Sequence, residues 1–184
     1  MRLSVFDFDY PAGLVAREPV ERGGCRLLAA DRRTKEIQHT TFDHIVDFLH
    51  PGDCLVLNNT KVFPARLYGK KETGGSIEII LLHELKKGVW RCLGRVSKKF
   101  KIGSRLIFGD CFGADVVKIE GDGMVVLAFF GEGDLRVLIE KHGQMPLPPY
   151  IERAVCAEDK ERYQTVFAKT EGAAAAPTAG LHWT

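Results

Sequence analysis

A chain of 184 residues, 45% hydrophobic and 27% charged, is long enough to bury a core and to hold one large domain or two small ones. Its 26 Lys and Arg against 24 Asp and Glu leave a formal charge of +2, which excludes a strongly basic nucleic-acid coat while neither demanding nor forbidding RNA. No apolar run approaches the ~20 residues needed to cross a bilayer, and MRLSVFDFDYP carries acids where a signal peptide is apolar, so the cytoplasm is the expected compartment.

In chain order, RLLAAD followed by RRTKEIQHTTF reads as a strand, a charged turn and a second short strand. Asp43 is placed to cap a helix through HIVDFLH, Pro51-Gly52-Asp53 breaks it, and Cys54 to Leu57 then runs apolar as a buried strand. His39, His44 and His50, at intervals of five and six, read as surface histidines without carboxylate partners and not as metal ligands. The five cysteines are odd in number and contain no CxxC pair, which predicts reduced thiols with no disulfide framework and no zinc knuckle. None of them is assigned a catalytic role.

From Val62 the pattern changes to short strands between turn signals: FPARLYGK, GGSIEIILLHEL, GVWRCLGRV, GSRLIFG, GADVVKIE and GMVVLAFFG. That spacing predicts a small closed or nearly closed antiparallel barrel. Lysines fall at its turns, at Lys70 and Lys71, Lys86 and Lys87, and Lys98, Lys99 and Lys101. They protect strand edges or, if they share one face, form a positive surface for an RNA backbone. DLRVLIEKH is then helical, with Leu135, Leu138 and Ile139 on one face and Gly143 as its stop. The prolines of GQMPLPPYI impose an extended path, and EDKERYQTVFAK predicts a second helix with Tyr163, Val166 and Phe167 inward. The expected fold is an incomplete α/β domain, residues 1–61 with 145–184, into which a six-stranded barrel with a short trailing helix, residues 62–144, is inserted.

Polar residues gather at three places. Asn58, Asn59 and Thr60 end the apolar run ahead of Lys61 and Arg66, where they either form an Asx turn or hold a sugar or base edge. Arg162, Tyr163 and Gln164 offer a guanidinium, a phenol and an amide; a solvated Arg beside a core Tyr is the competing reading. AAAAPTAGLHWT brings Thr178, His182 and Thr184 near Gly180, which lets backbone approach a ligand, while a His between Leu and Trp also fits a packed position. The stop at Thr184, straight after Leu181, His182 and Trp183, looks like a cut.

The stretches LNNTKVFPARLYGKKETGG, MPLPPYIER, ERYQTVFAK and AAAAPTAGLHWT, in that order, with FDFDYP and RLLAADRRT ahead of them, resemble the S-adenosylmethionine:tRNA ribosyltransferase-isomerase family of queuosine biosynthesis. The resemblance covers the whole chain. It implies an enzyme that moves the ribosyl part of S-adenosylmethionine onto 7-aminomethyl-7-deazaguanine at the tRNA wobble position, forming epoxyqueuosine. The partners implied are tRNA and S-adenosylmethionine, the latter consumed as substrate, with no metal and no separate cofactor. By the same resemblance His182 is the candidate acid or base, with Thr178 and Thr184 as neighbours, and Arg66, Arg162 and Tyr163 position substrate. The family usually has Asn-Asp-Thr-Arg where this chain has Asn58-Asn59-Thr60-Lys61, and Phe where it has Trp183. Its sequences continue for a comparable length beyond the point where this one stops. A half domain leaves apolar faces uncovered and favours a homo-oligomer. The alternative expectation is a tRNA-binding module or an inactive fragment without turnover.

Overall fold

The computed structural model describes residues 2–9, 11–96 and 100–184, so Lys98 and Lys99 lie outside the described residues. Strands β1 (Arg26–Ala30) and β2 (Ile37–Thr41) form an antiparallel hairpin. Its turn is fixed by Asp31, whose carboxylate accepts from the backbone N–H groups of Arg33 and Thr34 at 2.6 and 3.3 Å.

The next two elements depart from expectation. Residues Phe42–Phe48 form a 3-10 helix with Thr41, not Asp43, at its N-cap; seven residues rich in aromatic and β-branched side chains are too few to sustain an α-helix before Pro51 and Gly52. Cys54 to Leu57 is extended but not a buried strand. Val56 is 87% exposed, and no strand among the described residues pairs with it. Without a ladder partner its backbone groups turn to solvent. His44 and His50 are exposed as expected, yet each has a carboxylate three residues on, Asp47 at 3.0 Å and Asp53 at 3.7 Å. No group of three metal-ligating side chains occurs among the described residues.

Strand β3 (Thr60–Val62) leads into the barrel, whose six strands are those the turn spacing predicts: β4 (Arg66–Lys71), β5 (Ser76–Lys86), β6 (Val89–Val96), β7 (Arg105–Gly109), β8 (Phe112–Gly121) and β9 (Met124–Gly131). They close in the order β4-β5-β6-β9-β8-β7, antiparallel throughout. Alternation along the strands sends Leu67, Ile79, Leu81, Cys92, Leu106 and Leu127 into the interior, all fully buried. Helix α1 (Leu135–His142), capped by the Asp134 carboxylate on the Arg136 N–H, lays Leu135, Leu138 and Ile139 over one end of the barrel. The hairpin geometry divides the lysines: Lys70 and Lys71 at the close of β4 and Lys101 ahead of β7 lie at the end away from α1, whereas Lys86 and Lys87 sit at the α1 end. They do not share one face.

The second predicted helix shrinks to one turn, α2 (Asp159–Arg162). Tyr163 is buried as expected, but Val166 is 49% exposed. The chain cannot stay helical there because Lys169 and Thr170 must donate to the Asn59 carbonyl, at 2.8 and 3.2 Å, to start β10 (Thr170–Ala173), which pairs in parallel with β3. No helix among the described residues is long and apolar enough to cross a membrane.

Closure of the barrel depends on close approach at Gly69, where a Cβ would overlap the Ile107 carbonyl on β7 and come within 2.8 Å of the Phe108 ring. Gly69→Ala is therefore expected to lower stability by about 1–3 kcal/mol through overpacking, measured as a fall in the urea midpoint at constant slope. An unchanged midpoint would mean that β4 and β7 are not in register as described.

Candidate active site

The segments on either side of the barrel converge on a cavity of about 260 Å³, and two arginine clamps build it. Arg153 holds Asp159 with two bonds of 2.8 and 2.7 Å, donates to the Arg17 carbonyl at 3.0 Å, and lies 3.4 Å from the Glu18 carboxylate. Arg22 donates to the carbonyls of Gln164, Glu161 and Leu181 at 2.8, 3.2 and 3.4 Å. Residues 17–22 thus cross the mouth as a strap tied at both ends. The walls are apolar, with Val20, Leu147, Pro148, Ile151 and Leu181.

Four of the side chains singled out in the sequence meet at this cavity: Arg162, Tyr163, Thr178 and His182. Arg162 is exposed at the rim and makes no ion pair among the described residues, which leaves its planar fork open to an anion. Tyr163 is 6% exposed, and burial raises its phenol above the ordinary tyrosine range, partly offset by backbone at Ala176. A phenol so raised stays neutral near pH 7 and serves as a hydrogen-bond donor rather than a base. His182 is held at three points: its backbone carbonyl accepts from the Gly23 N–H at 3.0 Å, its imidazole ring lies 5.4 Å from Phe42, and its Nδ1 lies 3.2 Å from Cys25 Sγ.

The other predicted residues are dispersed. Asn58 makes the Asx turn, its side-chain oxygen accepting from the Thr60 N–H at 2.9 Å. It shares a second cavity, of about 340 Å³, with Gly180, Leu57 and Trp183. Thr60 and Lys61 belong to β3, where Lys61 lies 3.6 Å from Glu171. Arg66 pairs with Glu78 at 3.2 Å and donates to the Leu147 carbonyl at 3.0 Å, behind the wall of the first cavity. Thr184 packs beside Gly23. Gln164 accepts from the Val62 N–H at 2.9 Å and donates to the Val62 carbonyl at 2.5 Å, so its amide takes the place of a neighbouring strand and does not face the cavity.

Sequence reasoning missed the clamps and Cys25. Arg153 stands in a quoted stretch, MPLPPYIER, but nothing local announces that it reaches Asp159, and Cys25 meets His182 across 157 positions.

Together these features define a barrel-bearing fold with a cavity that joins the strap at residues 17–22 to the Thr178–His182 turn. The chain belongs to the queuosine biosynthesis protein family, whose model matches residues 3–184. It is similar to the S-adenosylmethionine:tRNA ribosyltransferase-isomerases of Thermotoga petrophila and Thermotoga maritima, at 48% identity across 100% of this chain and 54% of each relative. It is also similar to the crystal structure of S-adenosylmethionine tRNA ribosyltransferase from Thermotoga maritima, at 39% identity and a TM-score of 0.38, covering 80% of this chain and 52% of that one. The chain spans about half the length of the curated relatives it matches.

Two outcomes test the scaffold of the site. Gln164→Ala strands one donor and one acceptor of Val62 and is expected to cost about 1–3 kcal/mol in urea unfolding, with no such loss for the exposed neighbour Glu161→Ala. The Arg153 guanidinium holds the Asp159 carboxyl down at about 2, against the opposing effect of burial. A carboxyl depressed in the folded state stabilises it above its unfolded value and loses that contribution as pH falls. Between about pH 4 and pH 2 the protein should therefore lose roughly 2 kcal/mol through this group. Asp159→Asn should abolish that share of the acid dependence and speed proteolysis within residues 17–22.

Proposed function

We propose that this chain carries substrate-binding and proton-transfer groups of a transferase that moves the ribosyl part of S-adenosylmethionine to 7-aminomethyl-7-deazaguanine at the tRNA wobble position and isomerises it to epoxyqueuosine. The observation that carries the reading is the meeting of Arg162, Tyr163, Thr178 and His182 on one cavity in a chain of this family. In this reading barrel residues 62–144 are an insert within one unit made of 1–61 and 145–184, tRNA and S-adenosylmethionine are the partners, no separate cofactor is used, and the protein works in the cytoplasm. The exposed Leu55, Val56 and Leu57 make a homo-oligomer through that face part of the same proposal.

The chemistry needs a base for the activated proton beside the sulfonium, a donor for departing adenine, and groups that fix the charged substrate. His182 has Nε2 available once Nδ1 is engaged by Cys25, and serves as acid or base there. Neutral Tyr163 and the Thr178 hydroxyl supply hydrogen bonds, Arg162 takes a carboxylate or phosphate, and Arg66 supports the wall at Leu147. Of the remaining candidates, Gln164, Thr60, Lys61 and Asn58 keep β3 and its approach in place, and Gly180 and Thr184 shape the turn that carries His182.

The test is adenine release from S-adenosylmethionine by the 184-residue chain with tRNA bearing the deazaguanine precursor. Release that requires tRNA and falls by about 100-fold or more in His182→Ala, a usual range for loss of a proton-transfer group, is the expected result. Folded protein that binds tRNA in a salt-dependent way but releases no adenine supports the binding-module reading instead. Release undiminished in His182→Ala removes that residue from the mechanism.

A further inference from the structure

We propose that Cys25 and His182 form a thiol–imidazole pair that makes the edge of the cavity a covalent modification site for soft electrophiles and peroxides. Cys25 Sγ lies 3.2 Å from His182 Nδ1, and both residues line the same cavity of about 260 Å³. The approach is held on both sides. Cys25 directly precedes β1 and its carbonyl accepts from the Phe42 N–H at 2.8 Å, while the His182 carbonyl accepts from the Gly23 N–H at 3.0 Å. A thiol is a weak nucleophile until its proton is removed, and an imidazole in contact with the sulfur can take that proton as the sulfur attacks.

With an alkyl halide an S–C bond forms, the carbon–halogen bond breaks, halide leaves with the electron pair, and the thiol proton passes to Nδ1. With hydrogen peroxide an S–O bond forms and the O–O bond breaks, and the departing hydroxide takes the imidazolium proton and leaves as water. The sulfur loses two electrons to the peroxide and becomes a sulfenic acid. Either product places new atoms in the cavity and removes the thiol from Nδ1, which couples the state of Cys25 to access at His182. This holds whatever ligand the cavity takes.

The other four cysteines supply internal comparisons. Cys92 is fully buried in the barrel, which pushes its thiol far up. Cys156 lies against the Glu158 and Asp159 carboxylates, which also push its thiol up. Cys54 and Cys111 are exposed and carry no hydrogen bond among the described residues. Simple exposure thus ranks Cys54 and Cys111 ahead of half-buried Cys25, whereas the imidazole contact reverses that order.

The experiment is limiting iodoacetamide at pH 7 with the rate at each cysteine read by peptide mass spectrometry. Cys25 is expected to react roughly ten-fold faster than Cys54 and Cys111, because the imidazole takes the thiol proton as the sulfur attacks. His182→Gln is expected to bring it to or below their rate, with Cys92 still protected as the sign of an intact barrel. The proposal is overturned if Cys25 in the native chain reacts no faster than Cys54 and Cys111, or if it keeps its lead in His182→Gln while Cys92 stays protected. Should Cys92 react in that variant, the comparison within the native chain decides.

Discussion

Two backbone hydrogen bonds between Arg66 and Gln144, at 3.1 and 2.8 Å, are the constraint on which the site depends. They join the point where the chain enters the barrel to the point where it leaves, so nearly eighty intervening residues return it to where it began. Arg66 reinforces the junction by donating to the Leu147 carbonyl at 3.0 Å. Because the junction is closed, the extended run through Pro148 is aimed at the Arg17–Arg22 strap, and the 160s are delivered to β3. A barrel with a loose junction would leave Tyr163 and His182 on a segment with no fixed position relative to Cys25 and Arg22.

From the junction outward, polar groups substitute for secondary structure. Gln164 completes the edge of Val62, Arg22 gathers carbonyls from α2, Gln164 and the Thr178 turn, and Arg153 spans from Asp159 to the strap. The division of labour has a physical basis. The barrel has a large buried interior and needs only alternation and closure, whereas the cavity region has a small core of Val62, Met145, Leu147, Tyr163 and Ala176 and relies on charge-assisted bonds for its shape. Protonating Asp159 removes the two bonds from Arg153, so the shape of the cavity depends on pH through that group.

The barrel was legible because each strand is its own signal: period-two alternation between turn residues gives Ile77, Ile79 and Leu81 inward without reference to any distant residue. Elements whose state is set by a distant partner were not. EDKERYQTVFAK has a helical pattern over its full length, yet the Asn59 carbonyl, more than a hundred positions earlier, accepts from Lys169 and Thr170 and a strand starts at Thr170. CLVLN has a strand pattern, yet no strand among the described residues pairs with it. For the site, residue types in motifs pointed to His182, Thr178, Tyr163 and Arg162, while Cys25, in a segment with no distinguishing pattern, becomes visible only when the fold carries it to Nδ1.

The departures from the family's usual Asn-Asp-Thr-Arg bear on surface pairing and not on the cavity. Asn59 is used through its backbone carbonyl, which accepts from Lys169 and Thr170, and any residue supplies that. Lys61 approaches Glu171 at 3.6 Å, and Glu171 also receives Arg136 of α1 at 3.2 Å. A guanidinium at that position would grip Glu171 with two bonds in place of a point charge. All three side chains are roughly half exposed, so the difference is worth about 1 kcal/mol or less. Exchanging Arg for Lys there loosens one tie between β3, β10 and α1 while leaving the walls of the cavity, the clamps at Arg22 and Arg153, and the Cys25–His182 contact as they are. The two substitutions therefore do not by themselves argue against a working site.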